Sequence, residues 1–81
     1  MDRFPSQHIL HEIGSFAHAV EGVKEVLHTK ARYVGAVLHV DLCIAVNEDI
    51  SMREADVIAR EVEGVLVNKF PNTKEVNVIL A

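Results

Sequence analysis

The stretch "LHVDLCIAV", residues 38–46, alternates apolar and polar side chains with a period of two. Alternation of this kind predicts a β-strand with one face in the core and the other face open. The apolar positions are Leu38, Val40, Leu42, Ile44 and Val46. The opposite positions hold His39, Asp41 and Cys43, which can all ligate a metal ion. The strand therefore predicts the buried side of a sheet and a candidate metal site on its other side.

Two segments outside this strand carry apolar residues at helical spacing. A stripe at intervals of three and four predicts a helix over about residues 6–20, beginning at Ser6. A second stripe predicts a helix over about residues 52–69, where Ser51 and Glu54 stand at the spacing of a capping box. Both helices are amphipathic and need an apolar surface to cover.

Two more segments complete a sheet around the opening strand. β-branched and long residues over 23–34, followed by Gly35, predict a hairpin with the strand over 37–46. The alternating "KEVNVIL", residues 74–80, predicts a last strand that runs parallel to the central strand after a helical crossover. The predicted fold is α+β with element order αββαβ, a three-stranded mixed sheet, and both helices on the face of the apolar positions. Nothing in the chain is expected to cover the opposite face.

Length and composition limit the class of protein. The chain has 81 residues, which is enough for one domain, and a hydrophobic fraction of 49%, which favours self-association. A formal charge of −4 with scattered Lys and Arg argues against a nucleic-acid partner. A single cysteine excludes an internal disulfide, and because no CxxC spacing is present we expect no closed structural zinc site. Because no apolar run approaches the roughly 20 residues of a membrane span, we expect the chain to be soluble.

Several short motifs in a fixed order carry a resemblance to a known family. They are the Gly-Val pair at 22–23, Lys30 and Arg32 followed by Gly35, the alternating strand, "SMREADVIA" at 51–59, and Phe70-Pro71 before the last strand. Together they resemble the C-terminal cytoplasmic domain of the cation diffusion facilitator family. This resemblance implies that residues 1–81 form one such domain with a ferredoxin-like, metallochaperone-like fold, and that the transmembrane part of the transporter is absent from this chain.

The resemblance also implies a function. Members of the family are dimeric membrane transporters that move divalent metals out of the cytosol in exchange for protons. The domain is then expected to form a V-shaped homodimer on the cytoplasmic side of the membrane, where metal bound between the two arms biases the conformation of the transporter. "ARYVG" at 31–35 with a following acid in the central strand is most similar to the magnetosome-membrane branch. That similarity implies iron supply for magnetosome biomineralisation at an inner or magnetosome membrane.

The ligand set of zinc-transporting members is only partly retained. Its positions correspond to Leu27, Cys43, Asp56, Ile79 and Ala81. Cys43 and Asp56 are competent donors, whereas Leu27, Ile79 and Ala81 have no donor atom in their side chains. His28 stands one residue beyond Leu27, and such an offset on a strand moves a side chain to the other face. His28 is therefore a candidate ligand that the alternation argues against.

The magnetosome branch implies a second set of ligands. Its central site corresponds to Asp41, with His39 in the place of a large aromatic residue and Asn77 in the place of a histidine. By the period of two, Asn77 points away from Val76 and Val78 and accompanies Asp41 on the open side. Residues of one strand that share a face are roughly 7 Å apart, so a site shared with a second chain is expected rather than one ion held by three residues of one strand. The donor chemistry indicates iron, zinc or manganese.

Other interpretations of the sequence stay open. The polar strand face is also what an ordinary dimer contact would present, and Cys43 alone is also typical of a small buried apolar residue. The domain is alternatively a metal-independent dimerisation module of the same transporter, or a free-standing ferredoxin-like metal chaperone. Expected partners are a second copy, the transmembrane domain and a paralogous transporter. No nucleophile motif or phosphate-binding loop is present in the sequence, so an enzyme is not expected.

Overall fold

The computed structural model describes residues 2–81, in which two helices and four strands are found. The elements in chain order are β1 (Asp2–Arg3), α1 (Gln7–His18), β2 (Val23–Val34), β3 (Val37–Val46), α2 (Met52–Lys69) and β4 (Thr73–Leu80). Both predicted helices and all three predicted strands are confirmed, and the observed bounds lie close to the predicted ones.

Each helix begins at a serine whose side chain satisfies a backbone donor. Ser6 Oγ accepts a hydrogen bond from the N–H of Ile9 at 3.2 Å, and Ser51 Oγ accepts one from the N–H of Glu54 at 3.1 Å. A side chain in this position stabilises the first turn by about 1 kcal/mol because the first N–H groups of a helix have no partner within it.

The strands form one sheet with the order β1-β2-β3-β4. β2 and β3 are antiparallel and joined at Gly35, while β3 and β4 are parallel and connected through α2. β3 is therefore central, as predicted. The sheet has one strand more than the three predicted, because β1 pairs antiparallel with Tyr33 and Val34 at the end of β2. A strand of two residues has no periodic pattern, which is why the sequence did not predict it.

The core lies between β3 and the two helices. Leu38, Val40, Leu42 and Ile44 of β3 are each no more than 2% exposed. They form one cluster with buried residues of both helices, including Ile13, Ala17, Val62 and Leu66. Both helices therefore cover the face of β3 that the alternation assigned to the core, and within residues 2–81 no helix covers the other face.

Pairing in the sheet is interrupted at three places. Between β2 and β3 the register shifts at Lys24 and again at Leu27, each of which is an extra residue on β2. Between β3 and β4 it shifts at Lys74, so that Leu38 pairs with Thr73 but His39 pairs with Glu75. An extra residue of this kind leaves the ladder locally unpaired and changes which side chains stand beside each other.

Two glycines adopt positive φ angles in very different surroundings. Gly22 has φ +99°, and a Cβ built there would lie 2.5 Å from Ile58 Cδ1. Gly35 has φ +63°, and a Cβ there would meet nothing within 4 Å. We expect Gly35→Ala to cost about 1 kcal/mol of unfolding free energy through backbone strain alone. Gly22→Ala should cost about 1–3 kcal/mol more, because the added methyl overpacks against α2.

Urea denaturation of the wild type and both variants measures this difference as a shift of midpoint at constant m-value. Equal losses in the two variants would contradict the close approach of Gly22 to Ile58.

Candidate metal site on the open face of the sheet

The side of the sheet away from the helices carries three cross-strand rows, with one residue in each row from β2, β3 and β4. We call this side the open face. The rows are Arg32, His39 and Glu75; Lys30, Asp41 and Asn77; and His28, Cys43 and Ile79. Residues paired across strands project their side chains to the same side at short range, so each row is a potential group of contacts.

The middle row contains the contact that the sequence predicted. Asn77 Nδ2 donates a hydrogen bond to Asp41 Oδ1 at 2.9 Å. The bond takes up one oxygen of the carboxylate, so the second oxygen and the Asn77 amide oxygen are the donors this pair offers to an ion. Lys30 stands in register on the other side of Asp41, but no ion pair of 4.0 Å or less joins them within residues 2–81.

The first row holds a contact that the sequence reasoning missed. His39 Nδ1 lies 2.8 Å from Glu75 Oε2, and the side chains are 26% and 59% exposed. Glu75 stands two residues before Asn77, so the period of two already assigned it to the open face. Its pairing with His39 belongs to the same register as the pairing of Asn77 with Asp41, two residues earlier on both parallel strands, but the prediction did not extend to it.

The third row contains His28 and Cys43, two of the predicted candidate ligands. His28 pairs with Cys43 and so lies on the open face, on the same side as Lys30 and Arg32 of β2. The extra residue at Leu27 breaks strict alternation between Val26, which pairs with Ile44 on the core face, and His28. The Cys43 thiol is free and half-buried, and its row ends at Ile79, which is 58% exposed and has no donor atom.

Asp56 does not join the open-face residues within one chain. It lies on α2, on the other side of the sheet, and its Oδ2 forms an ion pair with Arg60 Nε at 3.1 Å. The two side chains are 61% and 78% exposed, so the pair contributes little to stability. That Asp56 is a metal ligand remains a prediction. Only a second chain or another conformation would bring its carboxylate to the open face.

The donors present fit a metal ion only as part of a larger set. Within residues 2–81 no group of three or more His, Cys, Asp and Glu side chains is placed to hold one ion. Zinc requires about four ligands, and hard divalent ions about six. One chain instead offers two pairs, Asp41 with Asn77 and His39 with Glu75. A complete site therefore needs donors from outside one chain.

A shallow pocket of about 110 Å³ lies beside these pairs. Its lining consists of Phe4, Lys30, Ala31, Arg32, His39 and Asp41. The exposed ring of Phe4 belongs to the segment between β1 and α1, which thus reaches the open face next to His39. Lys30 and Arg32 bring two positive charges into the pocket beside the candidate ligands. A metal ion bound there therefore needs more carboxylates than one chain supplies.

No helix in the described part of the chain, residues 2–81, has the length and apolar character needed to cross a membrane.

Comparison with known families gives one match over most of the chain. Residues 5–78 match the model of the cytoplasmic domain of cation efflux proteins. The manganese efflux system protein MneS of Bacillus subtilis (strain 168) is 34% identical over 55 residues, which are 64% of this chain and 19% of that protein. The magnetosome protein MamM of Magnetospirillum gryphiswaldense is 28% identical over 78 residues, or 96% of this chain and 24% of that protein. The chain thus spans a quarter or less of these curated relatives.

Solved structures of the MamM CTD have the same fold. A nickel form of one variant superposes with a TM-score of 0.89 at 26% identity, covering 94% of this chain and 96% of that chain. A cadmium form of another variant has a TM-score of 0.88 at 25% identity, covering 93% and 94%. The likeness extends over both helices and the mixed sheet, because so little of either chain is left out.

Proposed function

Because the chain belongs to the cation efflux family as a cytoplasmic domain, we propose that it is the metal-sensing regulatory domain of a divalent-cation transporter. Two copies form a V-shaped homodimer, and metal bound between them favours the arrangement in which the arms are close. The observation that carries this proposal is the Asp41–Asn77 pair, which stands on a sheet face that no helix of residues 2–81 covers.

Symmetry supplies the donors that one chain lacks. In a two-fold dimer the same surface of both chains meets, so two Asp41–Asn77 pairs and two His39 side chains are available to an ion between them. An ion shifts a conformational equilibrium only if it binds one state more tightly than the other. Donors divided between two arms meet this condition, because they converge only when the arms approach.

The donor types support a metal of the iron, zinc or manganese class. Carboxylate, amide and imidazole donors suit these ions, and a thiolate such as Cys43 would shift preference toward zinc. One relative is named for manganese efflux and another for the magnetosome, and MamM CTD variants exist as nickel and cadmium forms. We extend the proposal to a transmembrane partner domain, a paralogous transporter as partner, and iron supply for magnetosome biomineralisation.

A metal-independent dimerisation module is the second candidate. It is favoured by Lys30 and Arg32, which flank Asp41 and His39 in register and oppose a bound cation. Ile79 and Ala81, which stand at positions of zinc-type ligands, also have no donor atom in their side chains. A free-standing metal chaperone is less well supported, since the sequence has no CxxC loop.

Calorimetric titration of the chain with manganese, zinc and anaerobic iron(II), paired with small-angle scattering, tests the proposal. We expect binding tighter than about millimolar for at least one of these ions, and a smaller radius of gyration of the dimer in its presence. Weaker binding together with unchanged scattering would establish the metal-independent module instead.

A further inference from the structure

We infer that Glu75 is a positioning residue for His39, which it holds with the proton on Nδ1 and with Nε2 free as the ligand atom. This inference rests on the proposed metal site and names a residue of that site that neither the alternation nor the family resemblance assigns. Glu75 itself does not contact the ion in this arrangement.

The direction of the hydrogen bond follows from the chemistry of the two groups. An ionised carboxylate only accepts, so at a separation of 2.8 Å between His39 Nδ1 and Glu75 Oε2 the proton lies on Nδ1. In a neutral imidazole the other nitrogen then carries the lone pair. Nε2 of His39 is therefore the atom that can bind a metal ion.

Among the neighbouring charged groups, Glu75 contacts His39 alone within residues 2–81. Within residues 2–81, Glu75 makes no other ion pair of 4.0 Å or less, so its carboxylate is not shared with Arg32 or Lys74. His39 is largely covered, at 26% exposed, and lies in the pocket beside Phe4. A largely covered ring held at one nitrogen has fewer orientations to lose when the other nitrogen binds an ion.

Such a carboxylate behind a metal-binding histidine has a known energetic effect. Metal-ligating histidines almost always donate their second N–H to a carboxylate, a carbonyl or a water, and loss of that partner weakens metal binding about 10–100-fold. We expect Glu75→Ala to weaken zinc binding within this range. Glu75→Gln should recover part of the loss, since its amide oxygen accepts the same N–H.

The chain offers a matched control on α1. His8 Nε2 and Glu12 Oε1 form another histidine–carboxylate pair at 2.6 Å, far from the open face and with His8 78% exposed. Glu12→Ala removes one negative charge and one such contact, as Glu75→Ala does. We expect it to leave zinc affinity unchanged, which separates positioning from a general loss of negative charge.

Long-range ¹⁵N–¹H correlation NMR of the full chain reads the His39 tautomer directly, with zinc as the probe. The inference predicts the Nδ1–H form in metal-free wild type and in Glu75→Gln, its loss in Glu75→Ala, and a zinc-induced shift of Nε2. The opposite tautomer in the wild type, or zinc affinity unaltered by Glu75→Ala, would overturn it.

The same spectra distinguish the two levels of the proposal. Zinc that shifts Asp41 and Asn77 but leaves the His39 ring unchanged overturns the role of Glu75 and leaves the proposed function intact. Zinc that shifts no signal of the open face overturns the proposed zinc response and the role of Glu75 together.

Discussion

Leu42→Ala is expected to lower the free energy of unfolding by about 2–5 kcal/mol, a large part of the stability of a domain of this size. Leu42 is 1% exposed and lies on the central strand β3, where neighbouring strands flank it and both helices contribute to the core around it. Its neighbours are fixed by the sheet and two helices, so they cannot collapse into the space that the missing atoms leave. The loss is measured as a lower urea midpoint.

Asp41→Ala is the matched control, one residue along the same strand. Asp41 is exposed and its hydrogen bond to Asn77 is a surface contact, so its removal should change stability by no more than about 1 kcal/mol. A loss in Asp41→Ala as large as that in Leu42→Ala would mean that β3 does not present its alternate faces to core and surface as described.

The same Asp41→Ala variant is expected to abolish the metal-dependent compaction of the dimer. It removes the only carboxylate of the middle row and leaves the Asn77 amide as a weak donor. The affinity for zinc or manganese should fall by more than the roughly 10–100-fold that loss of an outer partner costs, since here the ligand itself is lost. Scattering with and without metal, next to a calorimetric titration, measures both effects.

Asp56→Ala provides the comparison for this experiment. It also removes one carboxylate, but from α2 on the other side of the sheet, where Arg60 is its partner. Compaction that survives Asp41→Ala and disappears in Asp56→Ala would show that the ion binds at α2 and not on the open face. Both variants lose the same charge, so a difference between them reports the position of the ion and not the net charge of the chain.

Most of the fold was predictable because its signals are local. The apolar face of β3 and the stripes of the two helices follow from periodicity, and the helix starts follow from Ser6 and Ser51. The missing element, β1, pairs through backbone groups of Asp2 and Arg3, and backbone pairing leaves no mark in a two-residue sequence. β1 is identified only in the folded structure, where it lies beside the end of β2.

Alternation predicted which residues of the candidate site share a face, but not which of them stand beside each other across strands. The alternation of β4 placed Asn77 on the open face, and the family resemblance brought it together with Asp41, to which it is hydrogen-bonded. His28 lies on the same face as Lys30 and Arg32, with which it alternates without interruption, while the extra residue at Leu27 separates it from the alternation of Val26. Glu75 pairs with His39 in the same register as Asn77 with Asp41, and the shift at Lys74 precedes both pairs. Register shifts of this kind result from the packing of whole strands, so no residue type within the strand announces them.

The interruptions on β2 also limit how copies of this protein can associate. β2 would otherwise present a long row of free backbone donors and acceptors, which is the usual template for strand addition and cross-β stacking between chains. β1 occupies Tyr33 and Val34 at one end, while the extra residues Lys24 and Leu27 disrupt the other. Only the short stretch 29–32 remains regular, and it carries the charges of Lys30 and Arg32. At high concentration this edge of the sheet is thereby protected from fibril-like growth along β2.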